Sequence, residues 1–479
     1  MHSATNRELI EFTTPWAHEI AAPGGRPMPL TDLGNSERFV IAHGKNVRHC
    51  QATRRWYFWD GTRWAEDTTG DVKRRAKSVM RNILLEAAVQ DSEEQRKQVI
   101  AHQIRSESDR AIRASIALAE SDENVAVRLS DFDCDPMLFN VTNGTLDLRT
   151  GELRPHRRND LLTKLAAVNF DPLVPCPRWD RFLGEIMAGD GDLVAFLRRG
   201  IGYSLTGHTN EHSLFLPYGV GANGKTTFLE VVRFVLGDYA AQADFGSFMI
   251  AKGQTIWNDL ARLRGARFVT AAESESGKRM AETVVKALTG GDTVTVRFLY
   301  SEHFEYRPEF KLWLATNHRP KIIGTDEGIW RRIRLVPFAV SIPKERQDRN
   351  LSEELKQEAS GILNWALAGL RQWQAGGLRE PGVVNAANIE YRASQDLLAH
   401  FLEAKCTVAP GAEARAGELY RAYRDWSEAT GESQINEREF SNALVERGFT
   451  KTKIGQRVGK PSGSYWRGVG ISSAGADGG

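Results

Sequence analysis

The run Gly219-Val220-Gly221-Ala222-Asn223-Gly224-Lys225-Thr226 satisfies the spacing G-x-x-x-x-G-K-[ST], an arrangement suited to holding polyphosphate. Glycines let successive backbone N–H groups turn inward around phosphate oxygens, and a helix starting at the lysine adds the favourable end of its dipole. Lys225 would reach the β and γ phosphates of ATP, and the Thr226 hydroxyl would ligate Mg²⁺ with Thr227 beside it. The flanking segments suit this chemistry. Leu214 to Tyr218 reads as a buried strand and FLEVVRFVL as the following helix. A bare glycine loop before a helix is the bland alternative, and the correct flanks on both sides argue against it.

A triphosphate-hydrolysing site of this kind also needs acids at the end of a neighbouring strand. RFVTAA (Arg267 to Ala272) is such a strand, and Glu273 and Glu275 follow it. One carboxylate would support the metal shell, for which Glu273 is the candidate, and one would polarise the attacking water. Which glutamate takes which role stays open. An isolated ExE is more often a solvated loop, so the reading rests on its place behind a strand. KLWLAT (Lys311 to Thr316) is a third strand ending at Asn317, which could touch the γ phosphate or the lytic water. Alone, such an asparagine is usually a turn former. GIWRRIRLVPF places Arg331 and Arg332 before a fourth apolar strand. Either arginine could stabilise charge on a phosphoryl group in a neighbouring subunit, against the alternative of a surface ion pair.

The elements around these residues alternate strand and helix, the pattern of an α/β domain on a buried sheet. We expect a loosely ordered leader over 1–30, a mixed α+β region over 31–175 and the α/β domain with its leading helices over 176–341. A helical lid or connector over 342–395, a C-terminal module over 396–472 and a disordered tail over 473–479 complete the chain. In the N-terminal region RRWYFWDGTRWAED reads as a hairpin turning at Asp60-Gly61. Residues 71–120 read as helices, and LFNVTNGTLDLRTGEL reads as a second β patch. The cluster Lys73, Arg74, Arg75, Lys77 and Arg81 lies on a predicted helix, and such a run is usually a solvated face. Four scattered cysteines without a CxxC pair exclude a zinc ribbon and a disulfide framework. No long apolar run or signal-like start is present, so a soluble, cytoplasmic protein is expected, without a membrane partner.

The motif series resembles the superfamily 3 helicases of the phage and poxvirus primase–helicase type. GVGANGKTT resembles the family's first motif, RFVTAAESESG the acidic second, LWLATNHRP the sensor and GIWRRIRLVPF the arginine segment. VVKALTGGDTVTVRFLYSE resembles the extra motif found between the second and third. Upstream, FNVTNGTLDLRTGEL and LRRGIGYSLTG resemble the region preceding the motor. The resemblance spans roughly residues 30 to 470. It implies an AAA+ P-loop motor that uses ATP and Mg²⁺, assembles as a homo-hexamer and translocates on single-stranded DNA. It also implies a hairpin projecting into the ring channel, where Lys286, Arg297 and Tyr300 fall in or beside the matching stretch. A cation with an aromatic would serve phosphate neutralisation and base stacking there, although Tyr300 reads equally as a packed strand residue.

Near the C-terminus, NEREFSNALVER gives an amphipathic helix and is followed by a basic stretch. Between Arg447 and Arg467, both included, stand six Lys or Arg residues and no acid, so local charge departs sharply from the overall +2. A helix followed by a basic hairpin is the layout of a winged helix, with Lys451, Lys453, Arg457 and Lys460 as candidate DNA contacts. A solubilising hairpin is the plainer alternative. Larger relatives carry a polymerase domain, and Asp131, Asp133 and Asp135 invite a metal-dependent reading. Alternating aspartates are often a solvated turn, and a separate primase or polymerase would then be a partner. Two rival readings accompany the helicase: a bifunctional primase–helicase, and an ATP-switched DNA-binding loader that does not unwind.

Overall fold

The computed structural model describes residues 28–250, 257–273, 277–297, 303–324, 327–432, 434–455 and 461–472. Most of the expected leader and all of the expected tail lie outside the described residues. Thr31 opens the first helix, α1 (Asp32–His43), where its hydroxyl accepts the Gly34 N–H at 3.1 Å. Strands β1 (Val47–Cys50), β2 (Arg55–Trp59) and β3 (Trp64–Glu66) form an antiparallel sheet in that order. The expected hairpin is present, but its turn spans Asp60 to Arg63, since Trp59 pairs with Trp64. The Asp60 carboxylate holds this turn, accepting from the N–H groups of Thr62 at 2.7 Å and Arg63 at 2.9 Å.

Helices α2 (Asp71–Glu86), α3 (Glu93–Ser106) and α4 (Asp109–Ala119) pack with α1 over Phe39, Val72, Val79, Met80 and Ile83. Inside this bundle Arg38 and Glu86 form a buried ion pair at 2.5 Å. Much of the basic run on α2 is a paired face, because Lys73 meets Asp109 while Arg74 and Arg75 meet Asp71. The second β patch forms β4 (Leu138–Val141), β5 (Gly144–Asp147) and β6 (Glu152–Arg154), again antiparallel. Its apolar residues share one cluster with α5 (Pro177–Ile186) and α6 (Gly191–Ser204).

The following segment alternates β7 (Leu214–Tyr218), α7 (Lys225–Leu236), β8 (Ala240–Gln242), α8 (Trp257–Ala261), β9 (Phe268–Ala272) and α9 (Glu282–Gly290). The hairpin β10 (Val294–Arg297) and β11 (His303–Tyr306) comes next, then β12 (Lys311–Ala315), α10 (Glu327–Trp330) and β13 (Ile333–Pro337). Five strands make one parallel sheet in the order β13-β7-β12-β9-β8. Four of them were legible as apolar runs, and β12 is buried at every position. The result is a mixed α/β protein in which β7, β12 and β9 end side by side.

Helices α11 (Leu351–Gln357), α12 (Ala359–Gly376) and α13 (Gly382–Ser394) cover this sheet. The backbones of α6 and α12 nearly touch. A Cβ on Gly369 would stand 1.9 Å from the Arg198 carbonyl oxygen, so no larger residue fits. The C-terminal segment runs α14 (Leu397–Lys405), β14 (Cys406–Arg415), α15 (Ala416–Thr430), α16 (Glu437–Glu446), β15 (Thr450–Ile454) and β16 (Gly463–Ile471). Its sheet has the antiparallel order β14-β16-β15 over a core of Phe401, Leu419, Tyr423, Phe440 and Trp466. Helix α16 follows the sequence expectation for NEREFSNALVER, whereas β14 was not anticipated. Its run CTVAPGAEAR contains Pro410 and Gly411, poor strand formers, and the ladder is irregular between Val408 and Glu413 where they lie. Among the described residues no helix is long and apolar enough to cross a membrane.

Candidate nucleotide site and basic surfaces

The loop between β7 and α7 is shaped by its glycines. Gly219 and Gly224 take φ angles of 155° and 82°. A Cβ at Gly219 would stand 2.2 Å from the Phe338 carbonyl oxygen, and one at Gly224 would stand 2.6 Å from the Ile186 methyl. Ala222, at φ 59°, accepts a left-handed conformation that costs a non-glycine residue about 1–2 kcal/mol. Asn223 fastens the loop, donating from Nδ2 to the carbonyls of Val220 at 2.6 Å and Phe338 at 3.1 Å. Val220, Gly221 and Thr226 are exposed, and Thr227 is half-buried.

Lys225 is buried, and its ammonium donates to the Gly219 carbonyl, to Asn223 Oδ1 at 3.2 Å and to Asn317 Oδ1 at 3.1 Å. Burial pushes its pKa below the usual lysine value, and the charge of Glu273 opposes that shift. Glu273 follows β9 directly. Its Oε2 accepts from Asn317 N at 2.7 Å, His318 N at 2.8 Å and the Thr316 hydroxyl at 2.9 Å. Its Oε1 lies 3.6 Å from His318 Nδ1. Three residues chosen from separate motifs, Lys225, Glu273 and Asn317, therefore meet. Sequence reasoning missed Thr316 and His318, although both flank Asn317 in ATNHRP. Glu275 lies outside the described residues.

The two arginines part company. Arg332 is buried and donates to the Thr289 hydroxyl at 3.1 Å and to the Gly328 carbonyl. Arg331 is exposed, with no side-chain partner recorded among the described residues. Arg319 was also missed. Its guanidinium lies 4.8 Å over the Tyr218 ring and 5.8 Å from the Tyr391 ring, and it pairs with Glu390 at 2.9 Å. It joins the end of β7 to α13.

The DNA-contact candidates are scattered. Lys286 is half-buried on α9, and Arg297 closes β10 opposite His303. Tyr300, Arg457 and Lys460 lie outside the described residues. Lys451 and Lys453 are both exposed on β15, with the Lys451 ammonium 5.4 Å from the Trp466 ring centre. The three aspartates serve local structure. Asp131 accepts from Arg128 N, Asp133 from both N–H and hydroxyl of Thr163, and Asp135 takes a two-pronged contact from Arg149.

A parallel sheet with a glycine loop leading into α7, and an acid and an asparagine at adjoining strand ends, is consistent with a P-loop nucleotide-binding domain. Residues 36–188 match the family described as D5 N terminal like, and residues 218–332 match a family described as being of unknown function. Residues 36–188 thus carry the N-terminal domain of a D5-type primase–helicase family, and the chain has relatives in large DNA viruses. A protein of Acanthamoeba polyphaga mimivirus named as a candidate helicase, L207/L206, is 27% identical over 354 residues, covering 68% of this chain and 36% of its own length. One of Frog virus 3 named as a candidate helicase, 022R, is 24% identical over 62% of this chain and 39% of its own length. The candidate primase C962R of African swine fever virus is 23% identical over 72% of this chain and 40% of its own length. The chain thus spans well under half of these relatives. The solved C-terminal region of NrS-1 aligns over 92% of this chain and 100% of its own at 9% identity and a TM-score of 0.47, a likeness too weak to fix the fold.

Proposed function

We propose that this chain is an ATP-dependent DNA helicase of superfamily 3 that works as a homo-hexameric ring on single-stranded DNA, in replication of a phage, prophage or mobile element. The observation that carries the reading is the meeting of Lys225, Asn317 and Glu273 at three adjoining strand ends. The strand order β13-β7-β12-β9-β8 supports an AAA+ type motor, since the loop-bearing strand lies inside the sheet and the sensor strand adjoins it. The alternation of α14, β14, α15, α16, β15 and β16 supports a winged-helix reading of the C-terminal module.

The loop suits a triphosphate. Its two glycines hold the backbone where side chains would collide, and Lys225 already has its charge turned onto oxygen atoms. Phosphate oxygens of ATP would replace those partners at little reorganisation cost. Thr226 at the start of α7 and Glu273 at the end of β9 would hold Mg²⁺, which would draw charge from the phosphoryl oxygens. Asn317 would sense the γ phosphate, with its backbone anchored on Glu273. Arg331, exposed beside the sheet, is our choice for the arginine offered to a neighbouring subunit, because Arg332 is committed to Thr289 and Gly328. Arg297 of the hairpin β10–β11, with Tyr300 of the same motif and Lys286 on the preceding α9, would serve the strand, and Lys451 and Lys453 would meet duplex phosphates.

Strand displacement on a forked DNA, wild type against Lys225→Ala, tests the proposal. ATP-dependent unwinding that vanishes in the variant supports it. ATP hydrolysis without displacement on forks of either polarity would favour an ATP-switched loader instead.

A further inference from the structure

Away from the nucleotide loop, a cleft of about 550 Å³ opens where the N-terminal sheet meets the motor. One wall is β2, β3 and the nearby Lys164. The other is the segment after α8, with Arg262 and Arg264, and Phe304 of the hairpin strand β11. Five cations line it against two acids. Arg55 is matched by Glu66 at 2.5 Å, and Arg63 is matched by Asp238.

Lys164, Arg262 and Arg264 form no ion pair among the described residues. Arg264 is held in place by a 2.5 Å hydrogen bond to the Leu129 carbonyl, and Arg262 stands exposed. Lys164 is the telling case. It is half-buried, its ammonium has no hydrogen-bond partner among the described residues, and burial lowers its pKa. The carboxylates of Asp133 and Glu309 offset part of that cost, while the like charges of Arg264 and Arg63 add to it. With five cations against two acids in its lining, the cleft carries net positive charge and is electrostatically complementary to an anion. Its aromatic components favour a nucleic acid over a simple phosphate. Tyr57, buried against Phe132, and Phe58 belong to one wall, and the half-buried Phe304 in the other is the ring on which a base can stack.

We propose that this cleft binds a segment of single-stranded DNA and leads it to the base of the β10–β11 hairpin. Phe304 belongs to both the cleft and the hairpin, and Tyr306, two residues on, fixes the hairpin by donating to the Leu260 carbonyl at 2.7 Å. A strand lying over Lys164 and Arg262 would therefore reach the hairpin without crossing the nucleotide loop. The proposal rests on the DNA-motor reading but adds the N-terminal sheet to the strand's path.

The test is fluorescence anisotropy with a fluorescein-labelled oligo-dT, comparing wild type with the double variant Lys164→Met, Arg262→Glu over a range of salt. Affinity is expected to fall about tenfold, and the slope of log K against log salt to shrink by about 1.4, near 0.7 per phosphate contact on a single strand. Thermal melting reports folding. If the double variant melts early, Arg262→Ser alone supplies the comparison, because that side chain is exposed. Unchanged affinity and slope in a folded variant would overturn the cleft and leave the motor intact. A wild type that binds no single strand at all would overturn both.

Discussion

The Lys225 ammonium lies 3.1 Å from Asn317 Oδ1, joining the residue that opens α7 to the second residue beyond β12. Both strand ends are fixed by the same sheet, since β12 pairs with β7 and with β9. Glu273 then binds the backbone N–H groups of Asn317 and His318. A change at the phosphates would be passed from Lys225 to the sensor segment through one hydrogen bond, and from there to Arg319 and α13 through the next two residues.

That geometry separates Asn317 from Lys225 in its kinetic effect. Asn317→Ala removes a partner of the lysine and the proposed sensor of the terminal phosphate but leaves the loop glycines in place. Steady-state ATP hydrolysis should show kcat falling about 10²-fold, the scale for losing one preorganised polar group, with KM changed only a few-fold. A large rise in KM at constant kcat would instead make Asn317 a simple binding residue.

The two adjacent arginines should fail in different ways. Arg331→Ala should abolish ATP hydrolysis with no change in melting temperature, because the side chain is exposed. Arg332→Ala should lower stability by about 1–3 kcal/mol, since it leaves the Gly328 carbonyl and Thr289 hydroxyl short of a donor. Mixing Arg331→Ala with Lys225→Ala subunits gives the sharper result. Some hydrolysis should return, as intact loops meet intact arginines across mixed interfaces. No recovery at any ratio would end the role of Arg331 between subunits.

Much of this site was legible before any coordinates. Strands β7, β9, β12 and β13 are mostly apolar runs, the signature of strands buried on both faces, and each candidate residue of the nucleotide site was placed by its position near a strand end. What could not be read was the contact made across strands. Thr316 and His318 matter because β12 adjoins β9, and sequence spacing carries no register between parallel strands. Arg332 and Arg331 look alike on paper. Only the packing of α9 beside α10 buries one and leaves its neighbour exposed. The strand β14 was hidden by Pro410 and Gly411, and its pairing with β16 overrides poor local propensity. The basic cleft was invisible because its walls come from segments some two hundred residues apart.

In the N-terminal bundle, the Arg38–Glu86 pair should be the most costly polar contact to break from one side. Both side chains are fully or almost fully buried. Arg38→Met would leave a carboxylate in an apolar core and should cost about 3–5 kcal/mol by denaturant unfolding. Replacing both partners with apolar residues of similar volume should recover most of that loss. If Arg38→Met alone proves nearly neutral, Glu86 must find another donor.

The same bundle should be sensitive to mild acid. Burial, with the like charge of Arg75 added, lowers the pKa of His43 to about 4, against a partial offset from Asp71. Burial also lowers His49 and His102, the second helped by Arg38 and Arg105. In each case the unfolded chain, titrating near 6.5, binds the proton more readily than the fold does. Stability is therefore fully present above about pH 6.5 and is lost as pH falls from there toward about 4, the folded value for His43. Asp60, Asp67 and Asp135 have lowered values too, but they titrate below this window. Thermal melts at pH 7.5 and pH 5 should show an earlier first transition in acid, and His43→Gln should narrow that difference. An equal difference with and without His43 would remove it from the account and leave His49 and His102 to carry the effect.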